Sequence, residues 1–347
     1  MESGELRILR GHRVDESEEL RIVREHRVNE SGDLVMTSGG LQIVRAHPRI
    51  IRREGVTEPS ALPHVSSAMP TTSPVALVTG GASGIGRALC AALAADGVTV
   101  IAADLDLDGA RETVARIVAA GGRAEGSQVD VADGDQVERL VRDVASRHGR
   151  LDFMFNNAGV VLAGEVLEMT PEHWRWILGV NLHGVIHGTS AAYRVMAEQG
   201  FGHIVNISSA AGLMPSPMCA AYAATKHAVV GLSTSLRDEA RPRGVKVSVA
   251  CPVFVATPLF EHAVGLGVSL GEMAAPFLKY ALSPERAARS ILRGVRRNRG
   301  MILFPFSARI LLGCYRYLPG FARLGGRRMV AAFRRARETR SGPPLPP

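Results

Sequence analysis

The sequence predicts an α/β fold: a doubly wound parallel sheet forming a single domain with N- and C-terminal extensions. Three observations carry that reading. From Val75 to Cys251 short apolar runs alternate with amphipathic stretches, a glycine-rich turn joins the first run to the first helical stretch, and an acid, Asp104, follows the second run. Strands that are apolar throughout are buried on both faces, so helices must cover the sheet on two sides.

In chain order, Val75 to Thr79 is the first strand, Gly80 to Gly86 the turn and Arg87 to Asp96 a helix. Val98 to Ala103 is a strand, Leu107 to Ala120 a helix, Ala124 to Asp130 a strand and Gln136 to His148 a helix. Leu151 to Asn156, His203 to Ile207 and Lys246 to Cys251 complete the strands. One long helix is expected from Pro171 to Ala197, because Thr170 is an N-capping residue and proline suits the first helical turn.

Composition and charge narrow the class. The chain has 347 residues, 46% hydrophobic and 21% charged, which suits a packed core and excludes wholesale disorder. A net charge of +8 ordinarily raises nucleic acid or an anionic membrane as partner. Its distribution matters more: residues 286–347 hold 15 arginines and one acid, Glu338, so the preceding chain is acidic. Only Lys226, Lys246 and Lys279 are lysines, a bias read as GC-rich coding, which weakens any argument from arginine count and, with it, the nucleic-acid reading. Cys90, Cys219, Cys251 and Cys314 are scattered without a C-x-x-C pair, no signal segment opens the chain, and a reducing cytoplasm is expected. The most apolar run, Met301 to Tyr317, is interrupted by Pro305, Arg309 and Arg316, short of the roughly 18 residues a membrane span needs.

Near the N-terminus Ser3-Gly4-Glu5-Leu6-Arg7-Ile8 returns as Ser17-Glu18-Glu19-Leu20-Arg21-Ile22, and Ser31-Gly32-Asp33-Leu34 begins a third copy. A 14-residue period is too short for a stacked solenoid. Together with a Pro/Ser/Thr-rich linker from Thr57 to Pro74, it reads as a poorly ordered extension.

Chemistry concentrates at the strand ends. Thr79-Gly80-Gly81-Ala82-Ser83-Gly84-Ile85-Gly86 lies between a strand and a helix, where backbone N–H groups can hold a pyrophosphate in the Rossmann manner. Eighteen residues past Gly86, Asp104 can accept both hydroxyls of an adenosine ribose and repels a 2′-phosphate, so NAD is favoured over NADP. Capping of the turn Leu105 to Asp108 is the alternative role for that acid. Tyr222 and Lys226, four apart on an expected helix, share one face. A neighbouring ammonium is expected to draw the phenol pKa from about 10 towards neutrality, fitting Tyr222 for general acid–base work.

These motifs, with Asp130-Val131, Asn156-Asn157-Ala158-Gly159, Asn181, Ile207-Ser208-Ser209 and Tyr222-x-x-x-Lys226 in order, make residues 74–300 resemble the classical short-chain dehydrogenase/reductase (SDR) family. The resemblance implies an NAD-dependent oxidoreductase acting on CH–OH groups, with Asn181, Ser209, Tyr222 and Lys226 as its catalytic set. Ser209 is chosen over Ser208 by its 13-residue distance from Tyr222. It further implies cofactor contacts from Gly80, Ser83, Ile85, Gly86, Asp104, Asp130, Val131, Asn157, Ala158, Gly159, Val255 and Thr257, with Tyr222 and Lys226 beside the nicotinamide ribose. Val253 departs from the glycine the family most often places after that proline. No histidine has metal-ligand spacing, and no metal is expected.

In the segment that the resemblance places over the substrate, Leu259, Phe260, Val264, Leu266, Met273, Phe277 and Leu278, with Leu213, Met214 and Met218, suggest a pocket for a hydrophobic secondary alcohol or ketone; packing on the body or on a partner subunit is the alternative. The domain divisions are therefore 1–73 (repeat and linker), 74–300 (dehydrogenase) and 301–347 (basic amphipathic tail). Expected partners are a second copy of the chain, as homodimer or homotetramer, and an anionic membrane surface touched by the tail, for which docking on its own subunit or across a dimer is the alternative. The competing function is a non-catalytic NAD-binding or membrane-associated scaffold.

Overall fold

The computed structural model describes residues 73–260, 263–267, 281–318, 320, 325–328, 330–331 and 333–335. The N-terminal repeat and most of its linker, like Met273, Phe277 and Leu278, lie outside the described residues. From residue 73 onward these residues belong to one compact unit of the chain.

Strands β1 (Val75–Thr79), β2 (Thr99–Asp104), β3 (Arg123–Gln128), β4 (Phe153–Asn156), β6 (Gly202–Ile207), β7 (Val245–Pro252) and β9 (Met301–Phe304) form a parallel seven-stranded sheet in the order β3-β2-β1-β4-β6-β7-β9. The order reverses at β1, which pairs with both β2 and β4, opening a crevice beyond its carboxyl end. A two-stranded ribbon of β5 (Leu162–Ala163) and β8 (Val264–Gly265) stands apart. Helices α1 (Gly84–Ala95), α2 (Leu107–Ala119), α3 (Gly134–His148), α4 (Pro171–Leu178), α5 (Gly184–Gln199), α6 (Ala220–Ala240), α7 (Pro284–Arg296) and α8 (Phe306–Tyr317) complete the elements.

Alternation along β1 divides the core between two faces. Ala76 and Val78 pack with Leu89 and Leu93 of α1 and with Ile291 and Val295 of α7. Val75 and Leu77 pack with Val137 and Val141 of α3 and Ala192 and Met196 of α5. Apolar burial of this kind, roughly 1.5–3 kcal/mol for each large aliphatic side chain, fixes the helices to the sheet.

Two expectations change. The single helix from Pro171 to Ala197 is broken by a π-turn over Gly179–His183, in which the Gly184 N–H reaches back to the Gly179 carbonyl. One inserted residue barely disturbs an amphipathic pattern, so the sequence period does not reveal it. The domain end expected at residue 300 moves outward, because Met301–Phe304 pairs with β7 as the edge strand of the sheet. Its approach, α7, which the sequence reading left unassigned, is opened by Ser283, whose side chain accepts the Arg286 N–H, and by Pro284.

His203 on β6 is buried, with Nε2 2.8 Å from the Ser248 hydroxyl. That hydroxyl donates to the Arg299 carbonyl at 2.7 Å, so Nε2 carries the imidazole proton. Burial, aided by the positive charges of Lys246 and Arg237, lowers the His203 pKa from 6.5 to about 3. Between these values the unfolded chain binds a proton that the folded chain refuses. The stabilising contribution is therefore complete above pH 6.5 and is lost as the pH falls towards 3. We predict that His203 makes the unfolding free energy fall by up to about 1.4 kcal/mol per pH unit across that window. Urea unfolding of His203→Gln should show a shallower acid slope there; an unchanged slope contradicts the assignment.

Candidate active site

The crevice is built by hydrogen bonds between the ends of β1 and β4. Thr79 Oγ1 accepts from the N–H groups of Asn157 (3.0 Å) and Ala158 (3.1 Å) and donates to the Phe155 carbonyl (3.3 Å). Asn157 Nδ2 returns bonds to the carbonyls of Thr79 (2.9 Å) and Gly80 (3.2 Å). The turn between them admits no side chains at two positions. Gly80 has φ +68°, and a Cβ there would lie 2.8 Å from Asn157 Nδ2; one on Gly86 would lie 1.8 Å from the Gly80 carbonyl oxygen.

Ser83 stands at the N-cap of α1 in extended conformation, yet its side chain caps none of the helix amides. Its hydroxyl and the first-turn N–H groups therefore present an anion-binding end. Ile85, behind them, packs on the core. Asp104 Oδ2 accepts from Ala82 N (2.9 Å) in the turn and Oδ1 from Asp106 N (3.1 Å), so the acid also caps the following turn. Each oxygen keeps a second lone pair for a ribose hydroxyl. Asp130 Oδ1 accepts from Ala132 N (2.9 Å), and Val131 is buried beside Gly184. On the opposite rim Val255 bridges to Leu282, and Thr257 touches the turn at Gly84, whose φ is +51°. Glycine cradle, free helix end and strand-end acid together fit a dinucleotide.

The second cluster gathers on α6. Lys226 Nζ lies 5.6 Å from the centre of the Tyr222 ring and donates to the Ile207 carbonyl at 3.1 Å. Ser209 faces the Tyr222 phenol with a hydrogen bond that favours the phenolate, while its Oγ also accepts from Ala211 N (3.2 Å). Ser208 points elsewhere, donating to the Lys226 carbonyl at 2.8 Å. Asn181, wholly buried in the π-turn, accepts from Val160 N and donates to Val160 O, both at 2.8 Å. Its Nδ2 also reaches Thr225 Oγ1 (3.4 Å), which donates to the Tyr222 carbonyl at 2.7 Å. Thr225 is thus a linking residue that the sequence reading missed; lying between Tyr222 and Lys226, it carried no signal except position. Gly159 leaves the space that Asn181 and Lys226 share, since a Cβ would stand 3.2 Å from Asn181 Oδ1 and 3.5 Å from Lys226 Nζ.

Electrostatics differ from expectation. Burial drives the Tyr222 phenol up to about 12, with the Ser209 bond pulling partly the other way, and draws the Lys226 ammonium down to about 8. In the protein alone, desolvation of the phenolate outweighs the Ser209 hydrogen bond. Near neutral pH Tyr222 is a phenol, a proton donor.

Around the phenol the wall is apolar. Val160, Met169, Trp174, Tyr222 and Leu266 pack on Leu162, Ile177 and Ala221, held by the β5–β8 ribbon. Met214 and Met218 are half-buried on the loop before α6, whereas Leu213 packs against Val185 and Val249 behind it. Val253 continues the sheet pairing through its N–H to the Phe304 carbonyl (3.2 Å). No group of three or more His, Cys, Asp or Glu among the described residues could hold a metal ion.

The sequence model of a family described as short chain dehydrogenase matches residues 74–264. The chain belongs to the short-chain dehydrogenase family. It is an oxidoreductase with a Rossmann-type nucleotide-binding fold, acting on CH–OH groups. The chain is 38% identical over 192 residues to a 3-oxoacyl-[acyl-carrier-protein] reductase of Synechocystis, covering 55% of this chain and 78% of the relative. It is 36% identical over 195 residues to a cyclohexanol dehydrogenase of Acinetobacter (54% and 77%). With the probable oxidoreductase EphD of Mycobacterium tuberculosis it shares 33% over 252 residues, 70% of this chain but 43% of that longer protein. A short-chain dehydrogenase/reductase of Burkholderia phymatum in complex with NAD superposes with TM-score 0.65 at 31% identity, covering 70% of this chain and 93% of that one. A Sphingobium yanoikuyae short-chain dehydrogenase in complex with NADPH gives 0.61 at 26% (73% and 94%).

Proposed function

We propose that the chain transfers a hydride between NAD(H) and a hydrophobic secondary alcohol or ketone, with Tyr222 as general acid–base. The observation that carries this reading is the convergence of Ser209, Tyr222, Lys226 and Asn181 beside the dinucleotide crevice. A bound nicotinamide dinucleotide supplies the hydride donor or acceptor. In carbonyl reduction the Tyr222 phenol, protonated near neutrality, gives its proton to the substrate oxygen while the carbon gains the hydride. Ser209 donates to the same oxygen and offsets charge developing on it. The Lys226 cation stabilises the phenolate left behind, and alcohol oxidation runs these proton steps in reverse. Asn181 and Thr225 hold α6 against the loop after β4. The apolar wall supports a substrate with a hydrocarbon body, and a cyclohexanol dehydrogenase among the relatives is in keeping with it.

A second reading, the non-catalytic scaffold, is separated from the first by one experiment. Tyr222→Phe should lower kcat about 10²- to 10⁴-fold in an absorbance assay of the reduced cofactor, a far larger loss than any change in dinucleotide affinity. Equal, negligible turnover by both proteins across a panel of alcohols and ketones supports the scaffold instead.

Asp104 supports NAD over NADP. Asp104→Asn keeps the shape and removes the charge, and should raise the NADP-to-NAD ratio of kcat/KM by at least about tenfold, the equivalent of roughly 1.4 kcal/mol. An unchanged ratio would assign Asp104 to turn capping alone.

Two contacts complete the proposal. Trp176 on α4 and Ile186 on α5 stand exposed, which supports a homodimer or homotetramer across these helices, readable by light scattering. The four cysteines are free thiols, in keeping with a reducing compartment. No helix among the described residues is long and apolar enough to cross a membrane. On α8, Phe306, Ile310 and Tyr317 form one outward apolar stripe at helical spacing, 73%, 59% and 78% exposed, beside Arg309 and Arg316. The stripe and its arginines support peripheral contact with an anionic bilayer. Pelleting with phosphatidylserine-rich liposomes should fall at least about threefold in Phe306→Ser/Ile310→Ser and with added salt; equal pelleting by both proteins excludes the contact.

A further inference from the structure

The loops that frame the Tyr222 phenol carry a second layer of structure supplied by the far end of the chain. One loop, between β4 and α4, contains Gly164 and Glu165; the other, between β6 and α6, contains Pro217 and Met218. They are tied together where the Gly164 N–H donates to the Met218 carbonyl at 2.7 Å. Residues from the C-terminal tail lie on both. Gly326 sits against Pro217, whose Cγ would be 3.4 Å from a Cβ at that glycine. Arg334 grips Glu165 with two parallel bonds, Nε to Oε1 at 3.0 Å and Nη2 to Oε2 at 2.9 Å. Next to it Phe333 is wholly buried, one of the largest side chains in the molecule to be so.

Each contact has a distinct physical role. The paired guanidinium–carboxylate bonds fix orientation, since both planes must align. Glu165 is itself held by the capping box of the short turn Val166–Glu168, so the grip is on a fixed point. Phe333 supplies the anchor, because removing it from the protein would expose its whole ring to water. Arg334 remains largely solvent-exposed, so its ion pair positions the segment more than it stabilises it. A tail that merely trailed into solvent would bury no phenylalanine.

We propose that the tail segment carrying Gly326, Phe333 and Arg334 forms a strap across the substrate mouth, clamped by Arg334 on Glu165 and anchored by Phe333, and that this strap limits the bulk of the alcohol or ketone admitted to Tyr222. The inference rests on the substrate reading given under the proposed function. By spanning both rim loops, the strap restricts how far they can separate. A bulky, rigid alcohol needs the rim loops farther apart than a small one does, and is the one held back. The strap therefore determines specificity without touching the reacting atoms.

The test compares wild type with Glu165→Arg, Arg334→Glu and the charge-swapped double variant, none of which alters a residue of the catalytic cluster. Two readouts are taken: trypsin cleavage at the exposed Arg327 and Arg328, followed by mass spectrometry, and the kcat/KM ratio for a polycyclic secondary alcohol against cyclohexanol. Each single variant should be cleaved at least about threefold faster, and its bulky-to-small ratio should rise at least about threefold. The double variant should return both to wild type. Cleavage that rises while the ratio stays constant overturns the specificity role, and cleavage unchanged in the single variants overturns the clamp. If the wild-type protein turns over no alcohol or ketone with either dinucleotide, the substrate reading fails and the specificity role with it. The trypsin comparison then still decides whether the clamp exists.

Discussion

The side-chain amide of Asn181, itself wholly buried, accepts the Val160 N–H and donates to the Val160 carbonyl, both at 2.8 Å. It joins the loop beyond β4, the π-turn and the helix carrying Tyr222 and Lys226 in one place. Without it, two backbone groups of the half-buried Val160 beside the site would lose their protein partner, each costing up to about 1 kcal/mol. The third bond, to Thr225, extends the clasp to the backbone of Tyr222 itself. A π-turn at this point lets Asn181 sit where a regular helix would rotate it away, in line with the concentration of such turns at functional sites.

From that junction the two halves of the site follow. One half is the crevice at the β1 and β4 ends, closed by Thr79 and Asn157 and kept clear by glycines at 80 and 86. The other is the α6 face, where burial holds Tyr222 protonated and Lys226 near its own titration point. Glycine at 159 is where they meet, because a side chain there would crowd Asn181 and Lys226 together. The sheet positions both halves from its carboxyl edge, and the split core of β1 keeps that edge rigid.

Much of this was legible in the sequence, for identifiable reasons. Strand β1 and helices α2 and α3 sit within a residue or two of their predicted bounds, because apolar runs and Asp caps at 106 and 133 punctuate them. The residues of the candidate site were named from motifs and from the family those motifs resemble, and they lie along the carboxyl edge of the sheet. What spacing could not express was through-space physics. The π-turn costs one residue of phase in an amphipathic pattern, too little to register. The Tyr222 pKa depends on how completely its surroundings exclude water, which a lysine four residues away does not reveal. Met301–Phe304 read as the start of a tail because its pairing partner, β7, lies some fifty residues earlier. Phe333 looked like one apolar residue among arginines, and only the fold shows it buried.

The basic tail also changes meaning. A net charge of +8 ordinarily points to a polyanion, yet Arg334 in the basic tail is paired with an acid of its own subunit. Charge in this protein belongs to the rim and the outer helix, and the reacting centre is organised by burial and hydrogen bonds. The claim that Asn181 acts through the Tyr222 machinery is tested most directly by a double-mutant cycle on kcat/KM with Asn181→Ala and Tyr222→Phe. If the account is right, each single variant is slow and the double variant is no slower than Tyr222→Phe. If the two losses multiply, Asn181 acts independently of Tyr222 and the central claim is wrong.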